Sequence, residues 1–216
     1  MIVAGIHLPD SDTHFGPLLE SSERVDGKGT YQLGKLRRGV ALVKHKGHAV
    51  DVGAQVGLWT RVLAREFQSV TAFEPVREFA ACLKENCVGA NNVELYCSAL
   101  GNYTGFIDII REAGVATARV DEGDSSNEAA VIHTLDMAPL RPIDFLKIDA
   151  EGYETAIIQG AEQTIRRDRP VVILEQKRKR LARYGFRPEA GVDLLRSWGA
   201  EVAWEEKGDF CLKFPV

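Results

Sequence analysis

The chain has 216 residues, enough for one domain with a substantial core and short for two. Hydrophobic residues make up 45% and charged residues 27%, the balance of a soluble globular protein. A formal net charge of -4 argues against a general grip on nucleic acid, which calls for a basic surplus.

No apolar run approaches the roughly 18 residues of a membrane span, and MIVAGIHLPDSDTHF lacks the basic-then-apolar order of a secretion signal. Cys82, Cys87, Cys97 and Cys211 have no metal-like spacing and read as reduced thiols, so a cytoplasmic home is expected. Neither a membrane nor nucleic acid is an expected partner.

Residues 1–30, rich in Gly, Ser, Asp and His, read as irregular, and residues 1–47 as a cap segment ahead of a domain over 48–216. AVDVG (49–53) predicts a buried strand and then a helix to about Glu66. SVTAFEP (69–75) predicts a strand ending at Pro75, with a helix over 76–88; VELYCSAL (93–100) predicts a third strand. GFIDII, GVATARV and AVIHTL are β-like, and DEGDSSNE (121–128) is the most loop-like stretch.

IDFLKID (143–149) is again strand-like, and EGYETAIIQGAEQTIRR follows as one helix with apolar residues at 156, 157, 161 and 165. VVILE (171–175) predicts a strand, GVDLLRSWG (191–199) a helix stopped by Gly199, and AEVAWEEKGDFCLKF a hairpin turning at Lys207-Gly208. The hairpin offers an edge for a homo-oligomer without requiring one. Alternating strands and helices imply a doubly wound, mostly parallel α/β sheet with a C-terminal antiparallel hairpin. Ligands of such sheets sit at the carboxyl ends of the strands.

DVGAQVG (51–57) lies where the first strand feeds its helix. Gly53 permits a tight turn, and Gly57 a close helix–strand approach. A plain connecting turn is the simplest alternative. A nicotinamide site would want glycine where Gln55 stands, because a pyrophosphate approaches the backbone there. Glu74, at the tip of the second strand, is placed to accept hydrogen bonds from ribose hydroxyls. Ser98, Ala99 and Leu100 offer an apolar berth for a base. Asp149, Glu151 and Glu154 bring carboxylates to the top of the next strand; for Glu151 and Glu154, acids favoured at a helix N-terminus are a competing explanation.

The set DVGAQVGLWT, AFEP, SALG, HTLD, DFLKIDAEGYE and VVILE, from about residue 48 to about 175, resembles the FkbM family of methyltransferases. The resemblance implies a class I methyltransferase fold with S-adenosylmethionine as donor. It implies that the Asp51–Gly57 loop holds the methionine end, with Asp51, Gly53, Ala54, Gln55, Gly57 and Thr60 as cofactor-binding candidates. By the same resemblance Glu74 and Pro75 lie at the ribose, Ser98, Ala99 and Leu100 line the adenine pocket, and Asp149 and Glu151 face the transfer cleft. The family more often has Asn where Gln55 stands, and Asn tolerates the left-handed conformation better.

Methyl transfer to an aliphatic hydroxyl needs a group to take its proton. Asp149, Glu151 and the N-terminal Asp12 and His14 are candidates, His14 because histidine titrates in the right range. LPDSDTHF (8–15) otherwise reads as a polar surface loop. Asp149 and Glu151 are two acids, too few to argue a divalent metal, and none is expected. Gln176-Lys177-Arg178-Lys179-Arg180 could meet an anionic acceptor, though such a run is more often a solvated face. His133 reads as structural. The expected activity is O-methylation of a carbohydrate or a hydroxylated small metabolite. N-methylation of a small amine and a non-catalytic nucleoside-binding module are the alternatives.

Overall fold

A computed structural model describes residues 1–111, 118–121 and 128–215. Seven strands form the main sheet, numbered here in chain order: β1 (His48–Val52), β2 (Ser69–Phe73), β3 (Val93–Tyr96), β4 (Phe145–Ile148), β5 (Val171–Glu175), β6 (Glu201–Glu206) and β7 (Asp209–Lys213). Their spatial order is 3-2-1-4-5-7-6. β1 to β5 run parallel, and β7 enters antiparallel beside β5 with β6 on the edge. The chain turns back between β1 and β4, the switch point at which such sheets open a crevice.

Every residue of β1, β4 and β5 is buried, because both sheet faces are covered. On one face Val50, Val52, Ile148 and Leu174 pack with Tyr153, Ile157 and Leu195. On the other, Ala49, Phe145 and Ile173 pack with Leu36, Val40 and Leu63, from the helices Leu33–Val40 and Thr60–Glu66. The fold class is thus the doubly wound one expected, and the hairpin turns where Lys207 and Gly208 both take positive φ, 54° and 84°, as its tight two-residue turn requires.

Three expectations need correction. The stretch 93–100 is not one strand: the chain leaves β3 at Tyr96, and Ala99–Leu100 joins a second, four-stranded sheet beside Ile132–His133. The long helix from Glu154 is two, Glu154–Gln159 and Glu162–Asp168, the second capped by Asp136, which accepts the Thr164 and Gln163 N–H at 2.8 and 3.0 Å. Residues 1–30 are not irregular. They contain two small hairpins, Ile2–Val3 with Ile6–His7 and Arg24–Val25 with Lys28–Gly29, and the helix Phe15–Glu20. Of the β-like stretches, 105–111 and 128–133 are strands; parts of GVATARV and DEGDSSNE lie outside the described residues.

The N-terminal segment is built into the core. Ile6, Leu8, Phe15 and Leu19 belong to the same apolar cluster as β1 and β4. Asn86 locks the first hairpin down, accepting the His7 N–H at 2.7 Å and donating to the carbonyls of His7 and Val56 at 2.9 and 2.8 Å. No helix among the described residues is long and apolar enough to cross a membrane. All four cysteines are free, Cys87 and Cys211 buried and Cys97 exposed. Burial pushes the Cys87 and Cys211 thiols up to about 11 and about 12.

Candidate active site

A cavity opens along the carboxyl ends of β2, β1, β4 and β5, and the N-terminal segment lends it His14, Phe15, Tyr31, Gln32 and Lys35. Gly53, Ala54, Gln55, Glu74, Pro75, Ser98, Ala99, Leu100, Asp149, Glu151 and His14 all line it. Asp51, Gly57 and Thr60 do not.

Those three stand behind the wall and shape it. Asp51 is fully buried; it meets Lys147 Nζ at 3.0 Å and accepts from Thr60 Oγ1 at 2.7 Å. Lys147 also donates to the carbonyls of Gly53 and Val52 at 2.7 and 3.2 Å, so this ion pair fixes the glycine turn from beneath. Burial works against the charge on Lys147, but Asp51 and Asp149 outweigh it and raise its pKa. Gly57 (φ +82°) lets the loop touch Leu83 of the helix Arg77–Asn86, whose Cγ would stand 2.8 Å from an added Cβ. The close approach is to that helix rather than to the strand.

Gly53 (φ +68°) is needed for a different reason. An added Cβ would lie 1.9 Å from the Asp149 carbonyl oxygen, so only glycine lets β1 and β4 deliver their tips this close together. Gln55 occupies the left-handed region (φ 53°), the conformation that Asn would have adopted more readily. Its side chain accepts the Val56 N–H at 2.9 Å, which helps hold the turn.

Glu74 is 4% exposed, and backbone fixes both its oxygens: Oε2 accepts the Gln55 N–H and Oε1 the Val76 N–H, each at 2.8 Å. Burial nevertheless pushes the carboxyl up to about 7. Beside it Phe73, Phe79, Leu100 and Ile109 form an apolar slot, and Ser98 Oγ lies 3.0 Å from His133 Nε2. His133 does not line the cavity; it props the slot from outside, edge-on to Phe73.

The other end is acidic. Asp149 is half-buried and faces the cavity. Glu151 meets Arg180 Nε at 2.9 Å, and burial still pushes it up to about 7. Glu175 pairs with Lys177 and Arg180. Two members of the basic run therefore do line the cavity, but their charge is spent on these acids. Asp12 is no wall residue: its Oδ1 accepts the N–H of Phe15 and Gly16 at 2.9 and 3.3 Å and starts the helix Phe15–Glu20. Sequence reasoning missed Phe15, Tyr31, Lys35, Trp59 and Asp209, which also line the cavity. Tyr31, Lys35 and Asp209 arrive from elements remote in the chain with nothing local to mark them, whereas Trp59 follows the glycine loop and Phe15 follows His14 directly.

The sequence profile of the Methyltransferase FkbM domain matches residues 51–201. The chain belongs to the FkbM methyltransferase family. No curated protein matches its sequence. Among solved structures, the FkbM methyltransferase of Methylobacillus flagellatus KT is similar, with TM-score 0.53 and 18% identity, over 81% of this chain and 45% of that one. The chain thus spans less than half of that relative's length. SMU.1697c from Streptococcus mutans, solved in complex with SAH, gives TM-score 0.54 at 11% identity over 83% and 94%. A ribosomal protein L11 methylase from Lactobacillus delbrueckii subsp. bulgaricus gives 0.52 at 14% over 87% and 81%. At such identities the likeness speaks for the fold, which is that of class I methyltransferases.

An FkbM methyltransferase takes S-adenosylmethionine as its cofactor, and the residues present fit that group. A buried carboxylate with both oxygens pinned, and with lone pairs left for hydroxyls, suits a ribose; the adjoining apolar slot suits a flat base.

Proposed function

We propose that this chain is an S-adenosylmethionine-dependent O-methyltransferase acting on a hydroxyl of a carbohydrate or a hydroxylated small metabolite. The observation that carries the reading is a pair of carboxylates in one cavity: Glu74 pinned at the tip of β2, and Asp149 at the tip of β4. Glu74 and Pro75 would hold the ribose, Ser98, Ala99 and Leu100 the adenine, and Gly53, Ala54 and Gln55 the methionine end. Asp51, Gly57 and Thr60 would act through the loop they support. Residues 1–47 would serve as the cap over this cavity and 48–216 as the cofactor-binding domain.

When bound, the cofactor supplies an electrophilic methyl on a cationic sulfur. The chain's own task is alignment, exclusion of water and removal of one proton. Asp149 makes no ion pair or side-chain hydrogen bond among the described residues, so it is the carboxylate available to a hydroxyl; it would accept the hydroxyl proton as that oxygen takes the methyl carbon and the carbon–sulfur bond breaks, its electron pair going to sulfur. Glu151 is engaged by Arg180, and His14 stands exposed at the mouth; both are candidates of second rank.

The test is transfer of labelled methyl to a panel of glycans, hydroxylated metabolites, amines and RNA. Labelling of a hydroxyl, lost in Asp149→Asn while calorimetry shows the cofactor still bound, supports the reading. Labelling confined to amines or RNA sinks it, and cofactor binding with no transfer to any acceptor leaves a nucleoside-binding module.

A further inference from the structure

We propose that Asp149, Glu154 and Glu175 form a site for a hard divalent cation at the acceptor end of the cavity. The sequence offered two acids there; the fold brings β4, the turn after it and β5 together and supplies more. One carboxylate oxygen from each of the three lies within 4.8 Å of the others. Opposite ligands around a calcium ion, at about 2.4 Å each, stand about 4.8 Å apart, so a single coordination sphere spans the group.

The second observation is Glu154 itself. The residue is 1% exposed, and its Oε1 accepts the N–H of Ala150 and Gly152, both at 2.9 Å. Its Oε2 is buried with no hydrogen-bond partner. A buried carboxylate oxygen left without a partner is costly, so something absent from the protein chain is expected to meet it.

Charge points the same way. Asp149, Glu151 and Glu175 share the cavity wall with Lys177 and Arg180, whose ion pairs go to Glu175 and Glu151. The charge of Lys147 is matched by Asp51. Neither Asp149 nor Glu154 makes an ion pair among the described residues, although Lys147 and Arg180 both feel the charge of Asp149. The donors are all carboxylate oxygens, with no cysteine or histidine in the group, which favours magnesium, calcium or manganese over zinc.

Asp149 lines the cavity, so an ion it holds can complete its shell with acceptor hydroxyls. Asp149 would give one oxygen to the ion and keep the other for the hydroxyl proton, which the ion makes more acidic. That role, and the preference it implies for acceptors with neighbouring hydroxyls, rests on the methyltransferase reading; the ion site does not.

The experiment is titration of Mn²⁺ into the full chain, reading the free ion by electron paramagnetic resonance. The expected result is one Mn²⁺ bound per chain, displaced by excess Mg²⁺ or Ca²⁺. Binding should weaken about tenfold or more in Glu154→Gln and in Asp149→Asn, and stay unchanged in the control Glu85→Gln, an exposed acid elsewhere. Circular dichroism melts establish that each variant is folded, and if Glu154→Gln is not, Asp149→Asn decides. A wild-type chain that binds S-adenosylmethionine but no Mn²⁺ overturns the ion site alone, as does equal Mn²⁺ binding by the folded variants. A chain that binds Mn²⁺ and not S-adenosylmethionine overturns the methyltransferase reading and leaves the ion site standing.

Discussion

Gly53 and Glu74 show how single residues carry the site. Placing a Cβ on Gly53 would set it 1.9 Å from the Asp149 carbonyl, in a backbone conformation alanine resists. Gly53→Ala should cost about 3 kcal/mol or more in urea unfolding and should abolish cofactor binding by prising β1 from β4. Glu74 makes a pH prediction. Its carboxyl is raised from an ordinary 4.5 to about 7, with burial as the leading cause. The folded state therefore holds a proton that the unfolded chain releases, so the stability Glu74 contributes is complete below about 4.5 and lost as pH rises through about 7. Ribose binding by the ionised form runs the opposite way. Affinity for S-adenosylmethionine, followed by calorimetry, should strengthen between pH 6 and 8, approaching about tenfold per unit on the acid side. Glu74→Gln should bind weakly and flatten that slope.

Elements were legible where their pattern is local. β1, β2, β4 and β5 are short apolar runs closed by turn residues, and each lies within a residue or two of its expected place. The final hairpin was legible from two alternating runs on either side of Lys207-Gly208. Lys207 holds φ 54°, which asparagine adopts more cheaply. Lys207→Asn should add about 0.5 kcal/mol, visible as a rise of about 1–2 °C in the melting temperature. The failures share a cause. Residues 93–100 look like one β run, yet the pairing partner changes from β2 to the strand Glu128–His133 across Cys97 and Ser98. The apolar spacing over 154–168 looks like one helix, yet the chain breaks near Gly160, and Asp136, remote in sequence, caps the helix Glu162–Asp168. Strand pairing and capping from afar leave no local trace.

The whole molecule decides what the N-terminal residues are for. A detachable cap would bury little against the domain, but Ile6, Leu8, Phe15 and Leu19 lie inside the main core, and Phe15 and Tyr31 line the cavity. Each such apolar side chain is worth about 1.5–3 kcal/mol of burial, against a typical total stability of about 5–15 kcal/mol. A chain lacking residues 1–47 should therefore melt at a much lower temperature and bind a hydrophobic dye before heating; an unchanged melt would establish the segment as a separable lid. By itself the sequence determined the doubly wound sheet, the glycine turn, the acid at the tip of β2 and the family, because those features are written in contiguous residues whose chemistry acts where they stand. Tertiary structure alone decided that Asp51 and Thr60 support the loop from behind, that Asp12 caps a helix while His14 reaches the cavity, and that Glu154 and Glu175 stand beside Asp149. Those facts depend on which strand tips adjoin and which side chains find partners across the sheet, and contacts between residues so far apart in the chain exist only once it has folded.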